Sequence, residues 1–317
     1  MAVWPQNPPP LVLVGPTATG KTAVAVELAE KLPGEIVNAD SMQIYQGMDI
    51  GTAKPGTEER RRAPFHLLDL VTPDQPFSVS DWKERAEAAI HGIVARGRRP
   101  IVCGGTGLYI KALLDDWSLA ETPADPAVRA ALRAEVAQYG AHTLHARLQA
   151  VDPVTAARLH PNDAVRIVRA LEVYQVTGQP ISAYQQRDRA SRPARPAYRI
   201  GLTLPREELY ARIDARVDQM IAEGLEDEVR RLLDQGYSPT LGPLRSLGYK
   251  EMIAYLCGES DRTTAIEKIK QETRRFAKRQ LTWFRADPYL TWLDVSAQDS
   301  AAVAARLLAP LREQSAL

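Results

Sequence analysis

The chain has 317 residues, ordinary apolar content and a formal net charge of +1, enough for one large domain or two smaller ones. The near-neutral balance excludes a uniformly basic polyanion binder, so any nucleic-acid surface must be a local patch. Cys103 and Cys257 are the only two cysteines; they exclude a zinc site or disulfide framework and read as small apolar residues of a reduced compartment.

The opening MAVWPQNPPP lacks a basic region followed by an apolar stretch, so no secretory signal is expected. No apolar run approaches the roughly 20 residues of a membrane helix, and a cytoplasmic protein is expected. LVLV at 11–14 is an unbroken apolar run, the mark of a strand buried on both faces. A helix follows over about 20–32, then a short strand at 35–39 ending at Asp40. HLLDLV at 66–71 reads as a third strand, 78–96 as an amphipathic helix, PIVCGG at 100–105 as a fourth strand and GLYIKALL as the next helix. Strands alternating with helices predict an α/β fold with a parallel sheet flanked on both faces.

After Asp115 only helical patterning appears, from about 122 to 186, with prolines at several helix starts. QQRDRASRPARPAYR at 185–199 carries five arginines and two prolines and reads as a basic linker. A strand at 198–204, helices over 206–223, 225–235, 247–257 and 261–285, a strand at 289–295 and a terminal helix complete the chain. The expected division is a core of 1–115 and 197–317 with an all-helical insertion over 116–196.

Three segments carry chemistry. Gly15, Pro16, Thr17, Ala18, Thr19, Gly20, Lys21 and Thr22 fit G-x-x-x-x-G-K-[ST], with a strand before and a helix after. Backbone N–H groups curl round phosphate oxygens there, Lys21 adds a cation, and the Thr22 hydroxyl can hold Mg²⁺. The motif specifies phosphate but not the reaction, and suits a kinase equally well. Asp40 and Asp69 both end predicted strands, where open α/β sheets bind ligands. Asp40 suits a proton acceptor, a Mg²⁺ ligand or a turn residue. GGTGLY at 104–109 permits close backbone approach, and Thr106 can donate to a diphosphate or hold a carboxylate. Finally, 268–285 holds seven basic residues and one acid, which suits phosphate-backbone contact, with Phe276, Gln280, Trp283 and Phe284 on another side. Arg166, Arg169, Arg245 and Lys250 add basic charge elsewhere. A polyanionic partner is favoured over a small molecule.

Together GPTATGKT, DSMQIYQGMDIGTAKP, GGTGLYIKALL, HPNDAVRIVRALEVYQVTG, ARIDARVDQMIAEGLEDEV, LGYKEM and AKRQLTWFR resemble the bacterial tRNA dimethylallyltransferase (isopentenyl-diphosphate:tRNA transferase) family, in its order and over nearly the whole chain. The resemblance implies a P-loop kinase-like core and transfer of a dimethylallyl group from its diphosphate to N6 of the adenosine 3′ of the anticodon. It implies Mg²⁺ as cofactor, tRNA (its anticodon stem-loop) as partner, and a monomer. Residue by residue, it makes Asp40 the general base, Thr106 a diphosphate-side catalytic residue, residues Gly15 to Thr22 with Arg216 the diphosphate site, and Thr22 the Mg²⁺ ligand. It places tRNA contacts at Asp40, Ser41, Met42, Gln43, Arg129, Val165, Arg166, Ile167, Val168, Arg169, Arg245, Ser246, Leu247, Gly248, Tyr249 and Lys250. Phe65 stands where the family pattern has a second His, a departure expected to lie away from the chemistry.

Overall fold

Leu11–Val14 (β1) is buried at every position and lies at the heart of a six-stranded, wholly parallel sheet of order β3-β2-β4-β1-β5-β6. The other strands are Gly34–Asn38 (β2), Phe65–His66 (β3), Arg99–Cys103 (β4), Tyr198–Thr203 (β5) and Thr291–Asp294 (β6). The structure is a computed structural model and describes residues 4–6, 8–117, 124–191 and 194–315, with the side chains of 188–191 and 310–315 outside that description.

Period-two geometry sorts the strand residues onto two faces. Leu11, Leu13, Ile36, Ile101 and Cys103 join one core with helix Lys21–Lys31 (α1) and helix Ser300–Ser315 (α14). Val12, Val14, Val37 and Val102 alternate with them, are equally buried, and face the side where helix Val79–Ala95 (α3) packs. There Trp82 of α3 stacks on Tyr109 of helix Gly107–Leu114 (α4) and donates from its indole N–H to the Asn38 carbonyl at 2.9 Å. A second core joins the segment after β2 (Ile44, Tyr45, Met48) to helices Arg206–Ala222 (α10), Leu225–Asp234 (α11), Tyr249–Leu256 (α12) and Arg262–Arg285 (α13).

The chain divides into two compact units, residues Met1–Lys111 with Pro196–Leu317, and Ala112–Arg195. The second is helical: Pro126–Tyr139 (α5), Ala141–Val151 (α6), Pro153–Ala156 (α7), Ala164–Thr177 (α8) and Ile181–Ser191 (α9), around Leu132, Leu144, Leu148, Ile167 and Leu171. Asp125, Asp152 and Asp163 cap α5, α7 and α8 through carboxylates that accept backbone N–H groups.

The structure departs from the sequence expectations in three places. The third strand is only Phe65–His66, because Leu67 and Asp69 take φ of 66° and 55°, left-handed values that end a ladder. A single bridge, Tyr45 to Val71, is all that remains of the expected 66–71 strand. Helix Thr57–Arg62 (α2) has no apolar periodicity, since every residue after Thr57 is charged and none is buried. The basic stretch at 185–199 is not all linker: α9 continues to Ser191, and residues 192 and 193 lie outside the described residues.

Candidate active site

Three loops leave the carboxyl ends of β2, β4 and β1, which are neighbours in the sheet, so their residues converge where open α/β sheets bind ligands. The phosphate loop follows β1. Ala18 adopts φ 65°, a left-handed turn of the kind that lets successive N–H groups face one anion. The Pro16 carbonyl accepts from the Thr19 hydroxyl at 2.8 Å and from the Lys21 ammonium at 2.7 Å. Thr17 differs from the expected phosphate donor, because its N–H is already given to the Gln280 side chain at 2.9 Å.

Asp40 follows β2 and is half-buried. Its Oδ1 accepts from the Met42 N–H at 2.9 Å, an Asx turn, which is the turn reading of this residue. Asn38 braces it from behind, accepting the Asp40 N–H at 3.1 Å and donating to the Asp40 and Leu67 carbonyls. Burial raises the Asp40 carboxyl above the usual aspartate range, with the Met42 N–H and the charges of Lys21 and Arg216 only partly opposing it. Burial likewise pulls the Lys21 ammonium down to about 8, helped by the nearby Arg216. Arg216 of α10 is also lowered by burial, while Asp40 draws it up. These mutual influences gather one acid and two cations in a single neighbourhood. No hydrogen bond or ion pair holds the Arg216 side chain among the described residues.

The third loop carries Thr106, whose hydroxyl accepts from the Ser41 N–H at 2.9 Å and donates to the Ser41 hydroxyl at 3.2 Å. Thr106 therefore ties the β4 loop to the residue beside Asp40. A cavity of about 30 Å³ is walled by Thr22, Asp40, Gln43, Cys103 and Phe65 among others. Phe65 and Asp40 line the same cavity, which brings the departure at Phe65 nearer to Asp40 than the sequence suggested.

The motif after Asp40 is largely scaffolding. Gln43 is buried and donates to the Thr52 and Ala53 carbonyls, and it also lines the cavity beside Asp40. Lys54 donates to the Tyr45 carbonyl at 2.7 Å, to Asp49 at 2.5 Å and to Asp69 at 2.7 Å. Asp69 also takes Arg60 at 3.0 Å; partial burial opposes its ionisation, but Lys54 and Arg60 hold its carboxyl below the usual range. It is a structural ion-pair acid, and the metal-linked alternative for it falls away. Glu228 of α11 is fully buried and accepts the N–H groups of Asp49, Ile50 and Gly51 together with the Tyr249 hydroxyl at 2.6 Å.

Among the expected nucleic-acid contacts, Ser41, Met42, Ser246 and Leu247 are half-buried, whereas Arg245, Lys250, Val165 and Arg166 are exposed. Gly248, Tyr249, Ile167 and Val168 are buried. In the helical unit Arg129 and Arg169 converge on the fully buried Glu172 at 2.9 and 3.0 Å. Burial disfavours the Glu172 carboxylate, yet the two guanidiniums win and hold it below the usual range.

Helix α13 is less basic in effect than in sequence, since Lys270, Arg274 and Arg275 pair with Asp218, Asp214 and Glu272. Phe276 and Trp283 are exposed, while Phe284 is buried. Sequence reasoning gave Glu172, Glu228 and Gln280 no role. The signal was there: Leu225, Glu228, Val229 and Leu232 form one apolar stripe, and Glu172 sits between Leu171 and Val173, so each acid interrupts a buried face.

The comparisons agree with one another. The family described as IPP transferase matches residues 43–287, and the isopentenyl transferase family matches 11–69. A tRNA dimethylallyltransferase of Geobacter metallireducens is 52% identical over 284 residues, covering 90% of this chain and 92% of that one. Another, of Symbiobacterium thermophilum, is 51% identical over 292 residues, covering 92% and 91%. The tRNA isopentenylpyrophosphate transferase of Bacillus halodurans superposes with a TM-score of 0.70 at 42% identity, covering 96% of this chain and 97% of that one. A eukaryotic dimethylallyltransferase acting on tRNA gives a TM-score of 0.77 at 27% identity, covering 96% and 77%. No described helix is long and apolar enough to cross a membrane. The parallel α/β core with its phosphate loop, the convergence of Asp40, Lys21, Thr106 and Arg216, and similarity along almost the whole length place the chain in the IPP transferase family.

Proposed function

We propose that this chain transfers the dimethylallyl group of dimethylallyl diphosphate to N6 of the adenosine 3′ of the anticodon in tRNA, giving N6-isopentenyladenosine and free diphosphate. The observation that carries the chemistry is a half-buried carboxylate, Asp40, held within electrostatic reach of Lys21 and Arg216 beside a phosphate loop. Dimethylallyl transfer needs such a pairing. The C1–O bond breaks with its electrons going to the diphosphate, so cations must meet charge as it develops. The N6 lone pair forms the new C–N bond, but the ring delocalises that pair and makes the amine a weak nucleophile. Asp40 accepts the N6 proton and restores its nucleophilicity.

Lys21, Arg216 and the loop N–H groups beyond Thr17 bind the departing diphosphate. Thr106 fixes Ser41 and thereby the backbone that carries Asp40. Thr22, the second residue of α1 and a wall of the Asp40 cavity, offers a hard oxygen that suits Mg²⁺. No cluster of three or more acids, histidines or cysteines stands ready for a metal among the described residues, so the ion would be held by Thr22 and diphosphate oxygens. When bound, Mg²⁺ supplies further charge neutralisation on the diphosphate. Arg129, Arg166 and Arg169 on the helical unit, with Arg245 and Lys250 on the core, contact the RNA backbone, and the target base leaves its stack to reach Asp40.

The test is transfer of labelled dimethylallyl from its diphosphate to undermodified tRNA in the presence of Mg²⁺. Transfer is expected without ATP; ATP-dependent phosphorylation with no prenyl transfer would overturn the proposal. The charge pattern adds a second expectation. The logarithm of tRNA affinity falls linearly with the logarithm of salt concentration, and Arg245→Ala reduces that slope by about one. Filter binding across a salt series measures it, and an affinity indifferent to salt contradicts the assigned surface.

A further inference from the structure

The phosphate loop and the Thr106 loop leave neighbouring strands, β1 and β4, yet neither hydrogen-bonds directly to the other's tip among the described residues. A single side chain from a third element joins them. Gln280 of α13 is 6% exposed. Its Oε1 accepts the Thr17 N–H at 2.9 Å, and its Nε2 donates to the Gly105 carbonyl at 3.0 Å. No other side chain from outside the segment 15–22 hydrogen-bonds to it among the described residues. Thr106 comes next and holds both the N–H and the hydroxyl of Ser41, beside Asp40. A continuous line of contacts therefore runs from the phosphate loop through Gln280, Gly105, Thr106 and Ser41 to Asp40.

We propose that Gln280 is a positioning residue that sets the spacing between the diphosphate-binding loop and the Thr106–Asp40 side of the site. The inference rests on the transferase reading above. Two facts show that α13 is seated directly on the second loop. A Cβ on Gly105 would lie 2.3 Å from Gln280 Nε2, and a Cβ on Gly107 would lie 2.1 Å from Trp283 Cδ1. The glycines let the loop backbone meet Gln280 and, one turn on, Trp283 without an intervening side chain.

An amide suits this place because it presents an acceptor and a donor at once in one plane. A carboxylate of the same size would face the Gly105 carbonyl with a second acceptor and would put negative charge beside the diphosphate. An apolar side chain would leave a donor and an acceptor unpaired in a buried place, where the lost bonds are not replaced. The leaving group is held on one loop and the proton acceptor on the other. Their separation sets whether C1 lies in line with N6 and the departing oxygen. A displacement near 1 Å at such a site costs about a hundredfold in rate.

The experiment compares Gln280→Met and Gln280→Glu with the unaltered chain. It measures steady-state kinetics, tRNA affinity by filter binding, inorganic diphosphate affinity by calorimetry, and the melting temperature. The expected result is a fall in kcat of about tenfold to a hundredfold. The Kd for tRNA should stay within about twofold, because only the diphosphate loop and its spacing are altered. Diphosphate affinity falls in both variants, and further in Gln280→Glu. Gly105→Ala is damaging alone but adds little to Gln280→Met, because both act on the same contact.

The proposal is overturned if a folded Gln280→Met keeps its kcat and its diphosphate affinity, or if tRNA affinity falls in step with turnover. Should Gln280→Met not fold, Gln280→Glu, unchanged in size, carries the comparison on the same criteria. If the unaltered chain transfers no prenyl group, the transferase reading fails on its own; the diphosphate calorimetry still decides whether Gln280 shapes the loop.

Discussion

Replacing Asp40 with Asn is expected to lower kcat by about a hundredfold to ten-thousandfold, the usual worth of a positioned general base. Asn keeps the size and the acceptor for the Met42 N–H, so the turn survives and only the proton acceptor is lost. The affinity for tRNA should stay within about twofold, because the acid works in the transition state. Single-turnover kinetics beside filter binding separates the two effects, and a weakened complex with intact chemistry would contradict the role.

The pH profile of kcat/KM for dimethylallyl diphosphate carries the same information for the free enzyme. Asp40 acts as a carboxylate and its carboxyl is raised by burial, so activity climbs with pH through a limb above the ordinary aspartate range near about 4. Lys21 acts as an ammonium and is lowered to about 8, so activity declines as pH rises through that value. Asp40→Asn should abolish the acid limb and retain the basic one.

Glu228→Ala is expected to destabilise the fold by on the order of 3–5 kcal/mol, because the single charged acceptor of four buried hydrogen bonds is lost. The residue satisfies three backbone N–H groups at 2.9, 2.7 and 3.1 Å and one tyrosine hydroxyl at 2.6 Å. Alanine leaves all four without an acceptor in a place where Glu228 is 1% exposed, at about 1–3 kcal/mol for each group that water does not reach. The sum exceeds the expected total because the loop at 49–51 relaxes and admits water. A urea melt with an unchanged m-value measures the loss, and a change below about 1 kcal/mol would refute the role. Proteolysis should at the same time appear near residues 46–51, because Glu228 anchors that loop to α11.

Residues with local signatures were legible before any coordinates. LVLV followed by GPTATGKT states its own context, since a buried strand and a glycine-rich turn into a helix need only neighbours in sequence. Asp40 could be placed at a strand end by the same logic, and the helical texture after Asp115 marked a separate body close to the observed Ala112–Arg195. The strand expected at 66–71 failed because apolar content does not report φ, and Leu67 and Asp69 turn left-handed to meet Asn38 and Lys54.

Other features depend on side chains that meet across long stretches of chain. Glu228 lies 179 residues from the first N–H it binds, and Gln280 lies 263 from Thr17. Neither has a local partner to betray it, so each looked like one polar residue among many on an amphipathic helix. The same holds for Lys54, Asp69 and the Arg129–Glu172–Arg169 cluster, whose charges meet only through packing. The linear chain, through local backbone geometry and hydrophobic period, was sufficient for the phosphate loop, the sheet and the acid at its edge. Only folding decided which charges are spent on each other and how the phosphate loop is tied to the loop beside Asp40, because those depend on burial and on contacts that sequence spacing does not encode.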